Sequence, residues 1–259
     1  MAQRLTKGTP VLARSASEVK NYRVYKKVIP IVMACIAVLV SLIYIISVLY
    51  TRYGSFTVSV NKYQQLQYGL SLCETKDFAN PTSRLECRAV EEITNIDGKY
   101  LDMNEIGSVD GQDSGDNYLC YTFYCKNAGT DTVSFRESIN IANMTIGAEK
   151  AARVRLITSR NGGERTVTDY AHAAGVDDNH NTVAEPDTTP FYSKYIVMQN
   201  EVEDFAPGEI MKYTIVIWLE GNDPECIDNI IGGTFKIDMK FSVITVADLE
   251  AQTTETKEK

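Results

Sequence analysis

Thr234-Phe-Lys-Ile-Asp-Met-Lys-Phe-Ser-Val243 alternates strictly along its length. Phe235, Ile237, Met239, Phe241 and Val243 fall on one face, and Lys236, Asp238, Lys240 and Ser242 on the other. A period of two predicts a strand with one side buried, of the kind antiparallel sheets use. Upstream, the turn Ala206-Pro207-Gly208 leads into Met211 to Leu219, MKYTIVIWL, a second strand. Tyr118 to Lys126, YLCYTFYCK, is aromatic and strand-like, and Val133, Phe135, Ile139 and Ile141 alternate after it. With Asn127 to Asp131 as the turn between them, this pair predicts a hairpin. Phe56, Val58 and Val60 alternate as well, and Leu66 to Cys73 reads as a further extended run. Arg153 to Leu156 and Arg165 to Thr168 flank an Asn161-Gly162-Gly163 turn, and Gly147 to Ala152 predicts a short helix. Residues 74–98 and 171–190 read as loops. Many short strands with turn signals between them predict an all-β domain, a jelly-roll-like antiparallel β-sandwich.

A different chemistry precedes that domain. Val28 to Tyr50, VIPIVMACIAVLVSLIYIISVLY, contains no charge. At about 1.5 Å per helical residue it is long enough to cross a bilayer core of roughly 30 Å. Signal peptides have a shorter apolar run and small residues before the cut, whereas this run ends in Ser47-Val-Leu-Tyr-Thr-Arg-Tyr53. The reading is an uncleaved transmembrane signal anchor, with Pro30 in its first turn. Seven of the 26 basic residues and one of the 34 acidic residues precede it, a net of +6. That leaves 19 basic and 33 acidic residues after it, a net of −14. Lys and Arg are retained on the cytoplasmic side, so the N-terminus is expected inside and the C-terminal portion outside the cell membrane. The expected organisation is a basic cytoplasmic tail (1–27), the anchor (28–50), an extracellular sandwich (51–246) and a polar C-terminal tail (247–259). The acidic exterior argues against a nucleic-acid partner, and membrane lipid is the expected one.

Catalytic signatures are absent from the sequence. His172 and His180 are the only histidines, in a polar loop, and no HExxH, GxSxG, Walker or dinucleotide motif occurs. The expectation is a protein that is not an enzyme and has no cofactor. Two acidic turns supply the hard oxygen ligands that calcium takes: Asp110, Asp113, Asp116 and Asn117 in one, Glu220, Asp223, Glu225 and Asp228 in the other. Neither has EF-hand spacing, and solvated acids on an acidic domain account for the same residues. Cys35 lies in the anchor and five cysteines lie beyond it. Cys120 and Cys125 stand five apart on one strand, on opposite faces and beyond disulfide reach. Cys73 and Cys87 flank a loop with Pro81 and are the expected disulfide, worth about 3 kcal/mol by loop closure. Cys226 is left to Cys120, to Cys125 or to neither, and five reduced buried thiols is the competing reading. Asn143-Met-Thr145 fits a glycosylation sequon.

Tyr118 to Gly129, YLCYTFYCKNAG, followed by FAPGEIMKYTIVIWLEGNDPEC and TFKIDMKFSV, resembles the camelysin and TasA-like surface proteins of Gram-positive bacteria. The resemblance covers about two thirds of the exterior portion. It implies a jelly-roll-like sandwich and a structural or interaction role at the cell surface or in its matrix, with other surface proteins or further copies of the chain as partners. Exposed sheet edges would allow association by strand addition. The alternative is a ligand- or calcium-binding module or sensor accessory, with its site in the 171–190 and 220–230 loops.

Overall fold

The computed structural model describes residues 16–52, 56–90 and 93–245. The chain divides between Arg52 and Tyr53 into two compact units. The first is built on α1 (Ala16–Arg52). Within it Val28–Ser47 has a mean hydropathy of 2.9 and no part of it is buried by protein. Water does not tolerate so long an exposed apolar surface, so a membrane or a signal role is what this helix fits. The helix begins 12 residues before the apolar run, which places Pro30 in its interior rather than its first turn. One backbone hydrogen bond is lost there, a defect common in membrane helices. Ser41 donates to the Ala37 carbonyl at 2.8 Å within this helix. Residues 1–15, and the polar tail expected from residue 247, lie outside the described residues.

Among the described residues the second unit is a sandwich with fourteen strands, two short α-helices and two 3-10 turns. In order the strands and α-helices are β1 (Phe56–Val60), α2 (Lys62–Tyr68), β2 (Leu70–Cys73), β3 (Arg84–Cys87), β4 (Gly111–Gln112), β5 (Tyr118–Asn127), β6 (Val133–Met144), α3 (Ala148–Ala151), β7 (Ala152–Arg160), β8 (Thr166–Ala171), β9 (Gly175–Val176), β10 (Thr182–Val183), β11 (Thr189–Pro190), β12 (Ile196–Phe205), β13 (Ile210–Leu219) and β14 (Phe235–Val243). One sheet has the order β12-β6-β14-β1-β3. The other runs β11-β8-β7-β13-β5-β2, with β4 sharing the outer side of β5. β9 and β10 form a separate two-stranded ribbon. The pairing is mixed rather than purely antiparallel: β1 lies parallel to β14, and β11 parallel to β8.

The core lies between the sheets. Phe56, Phe135, Ile139, Met239 and Phe241 from one sheet meet Leu72, Tyr121, Phe123, Tyr213 and Ile215 from the other. Phe123, Tyr213 and Phe241 form its centre, with ring centroids 5.2–6.2 Å apart. β14 buries Ile237, Met239, Phe241 and Val243 as its alternation requires. The outer face of the second sheet is covered too. Leu101, Ile106, Cys120, Ile157, Val216 and Trp218 form a second apolar cluster under the chain that arrives from residue 93.

Four expectations need correction. β5 and β6 are not a hairpin; they belong to different sheets, and Asn127 to Asp131 is the corner between them. The Asn127 amide donates to the carbonyls of Asp131 and Phe205, both at 2.8 Å, and its oxygen accepts from the Gly129 N–H. β5 is buried on both faces whereas β6 alternates, and two such strands suit different layers. Leu66 lies in α2, not in a strand, because Asn61 caps the helix by accepting from the Tyr63 N–H. Gly69 ends it in the left-handed conformation with φ of 76°. β3 occupies a stretch expected to be loop, and β12 has no counterpart in the sequence expectations. Finally, Cys73 and Cys87 are free thiols. They end strands of opposite sheets, and each Sγ faces a carbonyl of its own, Asn80 O at 3.6 Å and Arg88 O at 3.5 Å.

Candidate functional site

β1 runs parallel to β14 with Thr57 beside Asp238, so the first and last strands start at the same end of the sandwich. β6 and β13 finish at that end, and β7 starts there. The loops of residues 145–151, 172–195 and 220–234 therefore gather around the beginning of β1. This is where chemistry-bearing side chains meet.

Arg153 is the anchor of that gathering. It stands at the start of β7 and is 5% exposed. Its Nη2 donates to Asp223 Oδ2 at 2.6 Å and lies 3.7 Å from Glu185 Oε2. The Asp223 side chain is wholly enclosed, and its Oδ1 accepts from the Glu225 N–H at 2.8 Å. Glu185 comes from the long 171–190 loop, and Asp223 and Glu225 from the next one. A hydrogen bond between the side chains of Glu225 and Asp223 raises the Glu225 pKa, aided by partial burial and by the charges of Asp223 and Glu185.

Among the described residues, Glu185, Asp223 and Glu225 form a trio whose ligand oxygens lie within 4.8 Å of one another. The donor set suits a hard cation such as calcium. The Arg153 guanidinium already stands among these oxygens and neutralises part of their charge. Of the acids nominated in the sequence, only Asp223 and Glu225 reach the cluster. Glu220 is employed elsewhere: its Oε2 accepts from the Trp218 indole N–H and the Gly98 N–H, both at 3.0 Å. It thereby clips the covering segment onto the sheet. Asp228 is exposed at the head of a single 3-10 turn. The first acidic turn disperses: Asp110 accepts from the Tyr124 hydroxyl at 2.6 Å, Asp113 and Asp116 are exposed, and Asn117 accepts from Thr94 at 2.6 Å. Glu185 carried no signal in the sequence, since nothing local distinguishes it from its acidic neighbours.

A second buried acid lies deep between the sheets. Glu137 is on β6 at an inward position, flanked by Phe135 and Ile139, and is buried. Tyr213 donates its hydroxyl to Glu137 Oε2 at 2.6 Å. Burial pushes the Glu137 pKa up, while hydrogen bonds from Tyr213 and Asn200 partly oppose it. Nearby Cys125 is also raised far above its ordinary value by burial. The signal was in the sequence: the alternation of Val133, Phe135, Ile139 and Ile141 has one inward gap, at 137. Elsewhere, burial pushes the Cys87 thiol up to about 12 and the Cys120 thiol to about 11. These thiols are protonated and inert at neutral pH. Cys120 sits in the outer cluster and Cys125 in the inter-sheet core, on opposite faces of β5.

No family model and no curated protein matches the chain. Among solved structures, one with some likeness is a beta-glucosidase from Kluyveromyces marxianus in complex with glucose, at 9% identity and a TM-score of 0.23. The match covers 70% of this chain and 16% of that one, and at that TM-score it supports neither a shared fold nor a sugar chemistry.

Proposed function

We propose that the chain is a single-pass surface protein, with its N-terminus in the cytoplasm and the sandwich outside the cell, in a structural or interaction role. The observation that carries this is the charge reversal across the apolar helix, from +6 before it to −14 after it. A role in the cell surface or matrix of the camelysin and TasA-like kind follows from the resemblance described above. The sheet edges bear on how neighbours are met. β3 is four residues long with an Arg84–Glu86 ion pair, and β11 is two residues long. β12 is ten residues long, but its ladder is interrupted twice and it carries Glu201, Glu203 and Asp204. Such edges resist indiscriminate strand addition. Contacts through side chains on the end loops are favoured over edge pairing.

The test is protease applied to intact cells. The portion from residue 51 onward is digested and a small anchored fragment stays behind; protection of that portion reverses the orientation. A second reading, a calcium-binding module, is favoured by the convergence of Glu185, Asp223 and Glu225 from the two loops. Arg153 in the same cluster weighs against it.

A further inference from the structure

Side chains at the end where β1 begins are apolar in a way that folding does not explain. Ile146, Tyr192, Tyr195, Ile227 and Ile231 are all more than half exposed there, and Ile231 is 74% exposed. They are close neighbours. Thr145 and Thr234 exchange two hydrogen bonds, at 2.9 and 2.8 Å, which brings the turn carrying Ile146 beside the one carrying Ile231. Phe191 stacks on Phe235 at the start of β14, and the Tyr195 carbonyl accepts from the Ile141 N–H at 2.8 Å, so the turn of residues 191–195 joins the same end. Ile146 is held at a φ of 58°, a left-handed conformation that a β-branched side chain adopts only at a cost. A polar residue or glycine would serve that turn better, and isoleucine there keeps an apolar group on the outside.

Three residues separate Arg52, the last of α1, from Phe56, the first of β1. Fully extended, that connection reaches about 14 Å whatever the angle it makes. β1, β14, β6 and β12 are consecutive in their sheet, so the start of β12 lies about 14 Å from β1 at the usual strand spacing. Lys194 holds its ammonium 5.3 Å over the Tyr195 ring. Tyrosine and lysine side by side suit the boundary between headgroups and acyl chains, and isoleucine suits the region just below it. The opposite end has an exposed pair of its own, Tyr63 and Leu66 on α2. Gln64 bonds to Val243, eight residues along β14 from Phe235, which puts that pair about 26 Å away.

We infer that the end of the sandwich bearing Ile146, Tyr192, Tyr195, Ile227 and Ile231 rests in the lipid interface of the membrane that α1 crosses. This builds on the anchor reading above and does not depend on which side of the membrane the domain occupies. The test uses the full-length chain, one copy per nanodisc, in phosphatidylcholine brominated near the headgroup end of its acyl chains. Trp218 is the sole native tryptophan and is buried, so it contributes equally to every variant. Ile231→Trp is expected to emit blue-shifted relative to Tyr63→Trp and to be quenched about twofold more strongly by the brominated lipid. Ile146→Trp is the second probe should Ile231→Trp fold poorly. Equal emission and equal quenching at the two ends overturns the inference, provided the protein resists alkaline carbonate extraction. A blue shift without quenching overturns it as well, because protein rather than lipid then covers the patch. Extraction by carbonate would instead defeat the anchor reading, and this inference with it.

Discussion

Two buried carboxylates in this molecule solve the same problem in opposite ways. Asp223, at the end of the sandwich, is enclosed but touches the Arg153 guanidinium at 2.6 Å. Glu137, between the sheets, has a tyrosine hydroxyl, an asparagine amide and, among the described residues, no ion-pair partner, and its pKa is raised. Desolvation of a charge is offset in one case by an opposite charge and in the other by holding on to a proton. The difference is one of location. The loop cluster has chain arriving from three directions to supply partners, whereas the core offers only what the adjoining and facing strands present.

The largest expected effect comes from dismantling the paired site. Asp223→Ala leaves Arg153 buried with Glu185, at 3.7 Å, as its one remaining ion-pair partner among the described residues. It should cost about 3–5 kcal/mol, read from urea unfolding of the full chain in detergent micelles. A loss under about 1 kcal/mol would mean that the cluster is wetter than its geometry says. In the core, Tyr213→Phe removes the donor to Glu137 and should cost about 1–3 kcal/mol by the same measurement.

The unpaired acid also sets a pH dependence. Folded Glu137 holds its proton more tightly than the unfolded chain does, where the ordinary value is near 4.5. Its contribution to stability is therefore complete below that value and is lost as pH rises through the folded pKa. Glu137→Gln keeps a hydrogen-bonding group of the same size without the charge. Its advantage over the native chain should grow with pH, by about 1.4 kcal/mol per unit of raised pKa at most. Unfolding curves that shift in parallel for both proteins from pH 4 to 7 would place the carboxyl in water. The smallest effect is expected at the paired site. Because Arg153 already occupies the carboxylate cluster, 10 mM calcium should move the melting temperature by less than about 1 °C. A functioning site with a Kd of about 1 mM would raise it by roughly 3–6 °C.

What could be read in advance tracks how local the determining physics is. The strand at Thr234–Val243 was legible because one buried face writes period two into the side chains. The apolar helix was legible because an unbroken apolar run of that length needs no alternation to be recognised. β5 misled for the converse reason: covered on both faces, it carries no alternation to say which layer it joins, and its neighbour β6 looked like a hairpin partner. α2 was hidden by apolar Leu66 and Leu70, while the capping signal in Asn61 and Gly69 was present. The acidic cluster was half legible, through Asp223 and Glu225. Arg153 and Glu185 could not be assigned to it, since their meeting depends on where long loops return in space.

The parallel pairing of β1 with β14 has a mechanical consequence. Any pull between a membrane and the domain enters the fold at Phe56, and β1 is an interior strand, held by β14 on one side and β3 on the other. Tension along β1 loads both ladders in shear, so their hydrogen bonds must fail together rather than one at a time as in peeling an edge. A tether entering there would be fastened where the sheet resists force best, and the same arrangement delays that fastening until the last strand of the domain has been synthesised.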